Sequence, residues 1–253
     1  MGRHGSRMER SRGSISARNY HQQISGVLSA IDSTQEAAIR EAGELMASAI
    51  AGGGRVYLFG SGHSVIPVMD VFPRYGSFVG FYPLYDPRLM WSNVIGPNGA
   101  RELLWIERRE GYIEQFLNSY PMDGKDVLIV FSHGGLNAAP IEAAAYARAR
   151  GTKVVTVSSH ANAKVATRSH SSGKALMDLA DIAIDNCVAP EDAQVDVGRL
   201  EKVAAGSTMA VVFIAMALVA ETGARLAEQG YPLKTFVSPN VEGVTKEIGR
   251  AHV

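Results

Sequence analysis

With 253 residues, 46% of them hydrophobic, the chain can bury a large core as one α/β domain, and a multidomain reading is not required. Lys+Arg and Asp+Glu both number 25, so the zero formal charge supplies no global attraction for nucleic acid or an anionic membrane, and the expected partner is small. The single cysteine, Cys187, excludes an intrachain disulfide and no CxxC pattern asks for structural zinc, which fits a reducing cytoplasm.

In chain order, residues 1–15 read as a flexible basic tail with solvated arginines, since no continuous apolar core of a signal peptide follows them. Residues 16–253 read as a single domain that opens with helices. Ile24, Val27, Leu28 and Ile31 recur at helical spacing. Ser33-Thr34-Gln35-Glu36 then offers a capping box before a second run through Ile39, Leu45, Met46 and Ile50, so two helices are expected before the first strand. The glycines of AGGG, 51–54, end the second.

Five strand-like runs follow, at 55–59, 77–82, 126–131, 153–158 and 181–185, separated mostly by Ala-rich helical stretches. Their nearly continuous apolar content is that of parallel strands covered on both faces. The expected architecture is a three-layer α/β/α, doubly wound, five-stranded parallel sheet. Segments 83–105 and 158–176, both rich in turn formers, should arch over the carboxyl edge of that sheet. The apolar stretch 203–220 is long enough to raise a membrane span, but Gly206, Ser207 and Thr208 interrupt it, and a core or subunit-interface helix is the better reading. Its apolar residues go most of the way round, which predicts a homodimer or homotetramer.

The first strand ends in YLFGSGHS, and Gly60, Ser61, Gly62 and Ser64 form a loop whose close backbone approach and hydroxyls suit an oxyanion. The loop is neither a Walker motif nor GxGxxG, so a nucleotide is poorly supported. A Gly-rich turn can also join strand to helix with no ligand at all. The third strand ends the same way, in Ser132, His133, Gly134, Gly135 and Asn137, and two such loops on adjacent strands converge on one crevice where an anion meets helix N-termini. Ser158 and Ser159 end the fourth strand at the crevice rim. Arg74 either contacts the ligand or pairs with Asp70 four residues before it.

Four of the seven histidines, His63, His133, His160 and His170, fall in strand-end loops. His63 lies within the first anion loop, and His170 has a position suited to ring opening or carbonyl polarisation, in its own site or a neighbouring subunit's. Neither a His-x-His nor an HExxH pattern is present, so no metal and no cofactor is expected. Cys187 lacks an activating base and reads as an inert thiol.

GSGHS, DVLIVFSHGGLNAAPIEAA and KVVTVSS together resemble the SIS (sugar isomerase) domain, which binds and often transforms phosphosugars. WIERREGY, RSHSSGKALMDLADIAIDNC and FVSPNVEG extend the likeness to a little-characterised branch related to phosphoheptose isomerase, over about 20–245. The resemblance implies a flavodoxin-like strand order, an anionic sugar or sugar phosphate as ligand, and a glutamate near the sugar. Glu107 is that glutamate and Glu110 its near rival, while the neutral reading pairs both with Arg101, Arg108 or Arg109. Where SIS domains usually carry Ser-x-Ser-Gly-x-Thr, this chain has Gly134 and Asn137 in place of the second Ser and the Thr. Each lost hydroxyl costs about one to two kcal/mol of anion binding, while the backbone donors remain.

The expected function is therefore an aldose-ketose isomerase of a sugar or phosphosugar, working through an enediol with a glutamate base. The alternatives are a non-catalytic sugar-phosphate-binding regulator and a SIS-type lyase or etherase. No DNA-reading helix-turn-helix is visible, which disfavours a transcriptional regulator.

Overall fold

A computed structural model describes residues 16–91, 99–238 and 240. The basic tail expected at 1–15 and part of the arching segment 83–105 lie outside the described residues. The chain opens with a single helix, α1 (Ser16–Ala51), in place of the two expected. The capping box is not formed, because Ser33 Oγ donates to Ser29 O at 2.9 Å and Thr34 Oγ1 to Ala30 O at 2.7 Å, bonds that leave the helical backbone intact. Ile31, Ile39 and Met46 lie buried along one side of it, so tertiary packing carries the helix through the local signal to stop.

The sheet holds β1 (Val56–Gly60), β2 (Phe81–Pro83), β3 (Val127–Phe131), β4 (Lys153–Ser158) and β5 (Ile182–Asp185). Their order is β2-β1-β3-β4-β5 and every pairing is parallel, the flavodoxin-like doubly wound arrangement. Successive strand residues supply opposite cores. Val56, Leu58, Ile129 and Val155 join one layer, and Tyr57, Phe59, Leu128 and Val154 the other. That double demand is why the runs are apolar throughout.

On the first face lie α1, α2 (Val65–Val71) and the long helix α7 (Ser207–Glu228). On the second lie α3 (Ala100–Ile106), α4 (Tyr112–Leu117) and α5 (Ala138–Ala149). A short helix, α6 (His160–Val165), follows β4. α7 is long and apolar enough to cross a membrane by length and composition. It packs on α1, with Ala210, Ile214, Leu218 and Leu226 buried, as a core helix does.

Two expectations are corrected here. The second strand is three residues long rather than six, because Phe78 instead forms an antiparallel bridge with Thr235 and Val79 N donates to Lys234 O at 3.1 Å. An unexpected antiparallel pair, β6 (Ala193–Val195) with β7 (Val203–Ala205), stands apart from the main sheet, in a stretch whose strands are too short to show a period.

Candidate functional site

The loops after β1 and β3 lie side by side, because their strands pair in register from Val56–Val127 to Gly60–Phe131. A Cβ at position 60 would stand 2.1 Å from Ser64 O, so only glycine lets the chain fold back over the end of β1. That turn, closed by Ser64 N donating to Ser61 O at 3.1 Å, presents Ser61 and Gly62. His63 is exposed and rests against the ring of Trp91, with centroids 4.8 Å apart.

Ser61 reaches a buried carboxyl. Its Oγ lies 3.0 Å from Glu107 Oε2, and Glu107, at the end of α3, is only 7% exposed. The peptide oxygen of Glu107 accepts from Ala139 N, in the first turn of α5, at 2.9 Å. Glu107 is thereby fastened between the β1 loop and the helix that follows β3. Burial pushes its carboxyl above the ordinary range, and the Ser61 hydroxyl offsets part of that rise.

Glu110 differs in every respect. It is exposed, and its carboxylate accepts from the N–H and the hydroxyl of Ser171, which hold it below the usual range. Environment thus separates the two glutamates that the motif WIERREGY leaves equivalent. Neither makes an ion pair with Arg101, Arg108 or Arg109 among the described residues.

In the β3 loop, Ser132 Oγ accepts from Gly135 N at 3.1 Å, which leaves its own proton to donate. Asn137 stands at the N-cap position of α5 without its side chain capping the helix. Gly134 O accepts from Asn162 at 2.9 Å. His133 Nδ1 lies 3.2 Å from Asn186 Nδ2, a donor that fixes the ring and turns Nε2, buried and without a hydrogen-bond partner among the described residues, the other way. Ser158 is buried at the end of β4 beside Gly135, whereas Ser159 caps α6 by accepting from Asn162 N. His160 N donates to Asp185, and the Cys187 thiol is pushed up by burial.

Two residues depart from the crevice. Arg74 follows the C-terminal end of α2, the end remote from the β1 loop, and binds Asp70 at 2.5 Å. The cavity of about 530 Å³ that it lines with Asp70, Pro73, Tyr75 and Phe236 therefore lies away from the glutamate. His170 does not face Glu107 either, because its Nε2 lies 3.7 Å from Glu142 and 3.9 Å from Glu110. Glu142, Asn186 and Trp91 are site neighbours that sequence reasoning missed. The first lies within an Ala-rich helix and the second follows an edge strand, each inside a segment that carries the family likeness, with nothing local to mark it as facing the site.

A doubly wound sheet with two hydroxyl- and glycine-rich loops at its carboxyl edge is an arrangement that binds anionic ligands in many proteins, and the sequence match selects among them. Residues 19–159 match the SIS domain, and the chain belongs to that family. Its relatives include UPF0309 protein BH3325 of Halalkalibacterium halodurans, 34% identical over 219 residues that cover 86% of this chain and 88% of that protein. UPF0309 protein SCO4393 of Streptomyces coelicolor is 34% identical over 206 residues, 81% of each chain. Within the SIS family the chain is thus one of the UPF0309 proteins. In fold it is similar to a phosphoheptose isomerase from Francisella tularensis, with TM-score 0.53 and 15% identity over 81% of this chain and 95% of that one. The phosphoheptose isomerase GmhA of Neisseria gonorrhoeae gives TM-score 0.53 and 14% identity over 81% and 97%.

Proposed function

We propose that the chain binds an anionic sugar, a sugar phosphate in the first place, between the β1 and β3 loops and interconverts its aldose and ketose forms. Glu107 carries the proton between C1 and C2 through an enediol. The observation behind this reading is a buried glutamate whose proton affinity is raised and which is tied by Ser61 to the anion loop itself. A carboxyl in that state takes a carbon-bound proton and returns it more readily than a solvated one. Ser61, Gly62, Ser132, Gly134, Gly135 and Asn137 hold the anion through hydroxyl, amide and backbone donors, with Ser158 at the rim. His63 serves the ring oxygen from the other side of the loop. The protein acts in the cytoplasm and self-associates through the outer face of α7, where Met209 and Phe213 are 47% and 37% exposed one turn apart.

The test is a screen of aldose and ketose phosphates, and of sugars bearing other anions, in deuterated solvent. Deuterium should enter C1 or C2 with aldose-ketose exchange, and Glu107→Gln should lower turnover by roughly a hundredfold while leaving affinity nearly unchanged. Binding without exchange would make the protein a sensor. Exchange with loss of a substituent would make it a lyase. Full activity in Glu107→Gln would overturn the glutamate base.

A further inference from the structure

One turn of α5 beyond Ala139, three side chains converge that the sugar chemistry does not use. Glu142 comes from α5, Glu110 from the turn after α3 and His170 from the loop after α6, and one ligand atom of each lies within 4.8 Å of the others. Two of those groups are buried and unspent. Gly111 N donates to Glu142 Oε1 at 2.6 Å and fixes the carboxylate, while Glu142 Oε2 is buried with no hydrogen-bond partner among the described residues. His170 Nε2 is likewise buried without one, on a side chain only 11% exposed. No Lys or Arg pairs with either glutamate among the described residues, so two carboxylates face each other across a single imidazole. The one group in the set that can carry positive charge is the imidazole, and a metal ion supplies more.

We propose that Glu110, Glu142 and His170 bind a divalent first-row metal ion, zinc in preference to manganese. Two carboxylates and one imidazole make a three-ligand set that leaves a fourth, tetrahedral position for water, and the 42% exposed Glu110 side chain marks the side from which water reaches it. The imidazole selects against magnesium and calcium, and the Irving–Williams order places zinc above manganese. His170 Nε2 stands 3.7 Å from Glu142 Oε1 and 3.9 Å from Glu110 Oε2, and with the three ligand atoms within 4.8 Å of one another, side-chain closure on the order of an ångström brings them about 2.0–2.2 Å from a common ion.

Ser172 supplies a second-shell acceptor once the imidazole changes tautomer. His170 Nδ1 lies 2.8 Å from Ser172 Oγ and 3.1 Å from Ser172 N, so the neutral ring carries its proton on Nε2, between the carboxylates. An ion at Nε2 requires the ring proton on Nδ1, where Ser172 Oγ at 2.8 Å accepts it and the bond from Ser172 N to Nδ1 is given up. The role that follows is structural. Ser169 Oγ donates to Leu136 O and Leu176 N to Gly135 O, so the segment that carries His170 lies across the anion loop after β3. A metal at its centre pins that segment down.

The experiment titrates metal-free, full-length protein with zinc against a chromophoric chelator, with manganese and magnesium in parallel. One zinc per chain should bind, manganese more weakly and magnesium without saturation. E142Q and H170Q should each weaken zinc binding at least tenfold. Zinc should raise the melting temperature of the wild type and leave that of the variants unmoved. The exposed position of Glu110 makes E110Q the variant that preserves folding if either of the others melts early in chelator, and it should lose affinity likewise. Absence of stoichiometric zinc binding overturns the proposal, as does zinc binding of equal strength in the wild type, E142Q and E110Q. Neither result bears on sugar exchange by Glu107, which is measured separately.

Discussion

Glu107 is a carboxyl whose surroundings oppose its charge. Its folded proton affinity is raised, so the native state holds a proton at pH values where the unfolded chain has already lost it. Stability must therefore fall as pH rises from the ordinary carboxylate range through the raised native value, and level off above it. Glu107→Gln removes the charge and keeps an acceptor for Ser61. At pH 7.5 the variant should melt higher than the wild type, and near pH 4 the two should converge. Melting curves across that range decide it, and a lower melting point for the variant at pH 7.5 would contradict the desolvation argument. A gain in stability joined to a loss in turnover is the signature of a group held in place for chemistry.

Among the elements, α1 and α7 make the most demanding contact. A Cβ added at Gly43 would stand 2.4 Å from Glu221 Cγ, 2.8 Å from its Cβ and 3.3 Å from its backbone carbon. Alanine is worth about 1 kcal/mol more than glycine inside a helix, while overpacking a close contact costs about 1–3 kcal/mol. The clash involves the root of the Glu221 side chain and its backbone, which cannot swing aside, so the clash should win. Gly43→Ala should lose about 1 kcal/mol in denaturant unfolding, and a stabilised variant would mean that the helices do not approach so closely. The same contact explains why α1 is continuous. Its buried stripe, from Ile24 through Ile31 and Ile39 to Ile50, needs one straight helix against the sheet and α7, and the hydroxyls of Ser33 and Thr34 adapt by bonding to earlier carbonyls.

For the molecule as a whole, the outer stripe of α7 is the surface on which the proposed self-association rests. Met209 and Phe213 lie on its outward side, and Ala217 follows Phe213 one turn on in a groove shared with Asp32, Glu36 and Arg40 of α1. Wild-type protein at micromolar concentration should sediment as a dimer or larger, and Phe213→Asp should shift it towards monomer by placing a charge in the apolar contact. A wild-type monomer at tens of micromolar would remove self-association from the functional reading.

Sequence alone determined the sheet. Four of the five apolar runs coincide closely with sheet strands and the second only at its end, and the loops after the first and third were visible as glycine, serine and histidine at strand ends. Glu107 was legible only alongside Glu110, because both lie in one short charged motif and nothing local distinguishes them. Tertiary structure separated them by burying one against Ser61 and leaving the other to Ser171. It also moved Arg74 to the far end of α2 and turned His170 towards Glu142, a residue twenty-eight positions earlier in the chain. Hydrophobic period and turn chemistry are local and survive in the sequence. The proton affinity of a carboxyl and the facing of a loop histidine depend on which distant groups share its solvent-excluded space, and only folding brings those groups together.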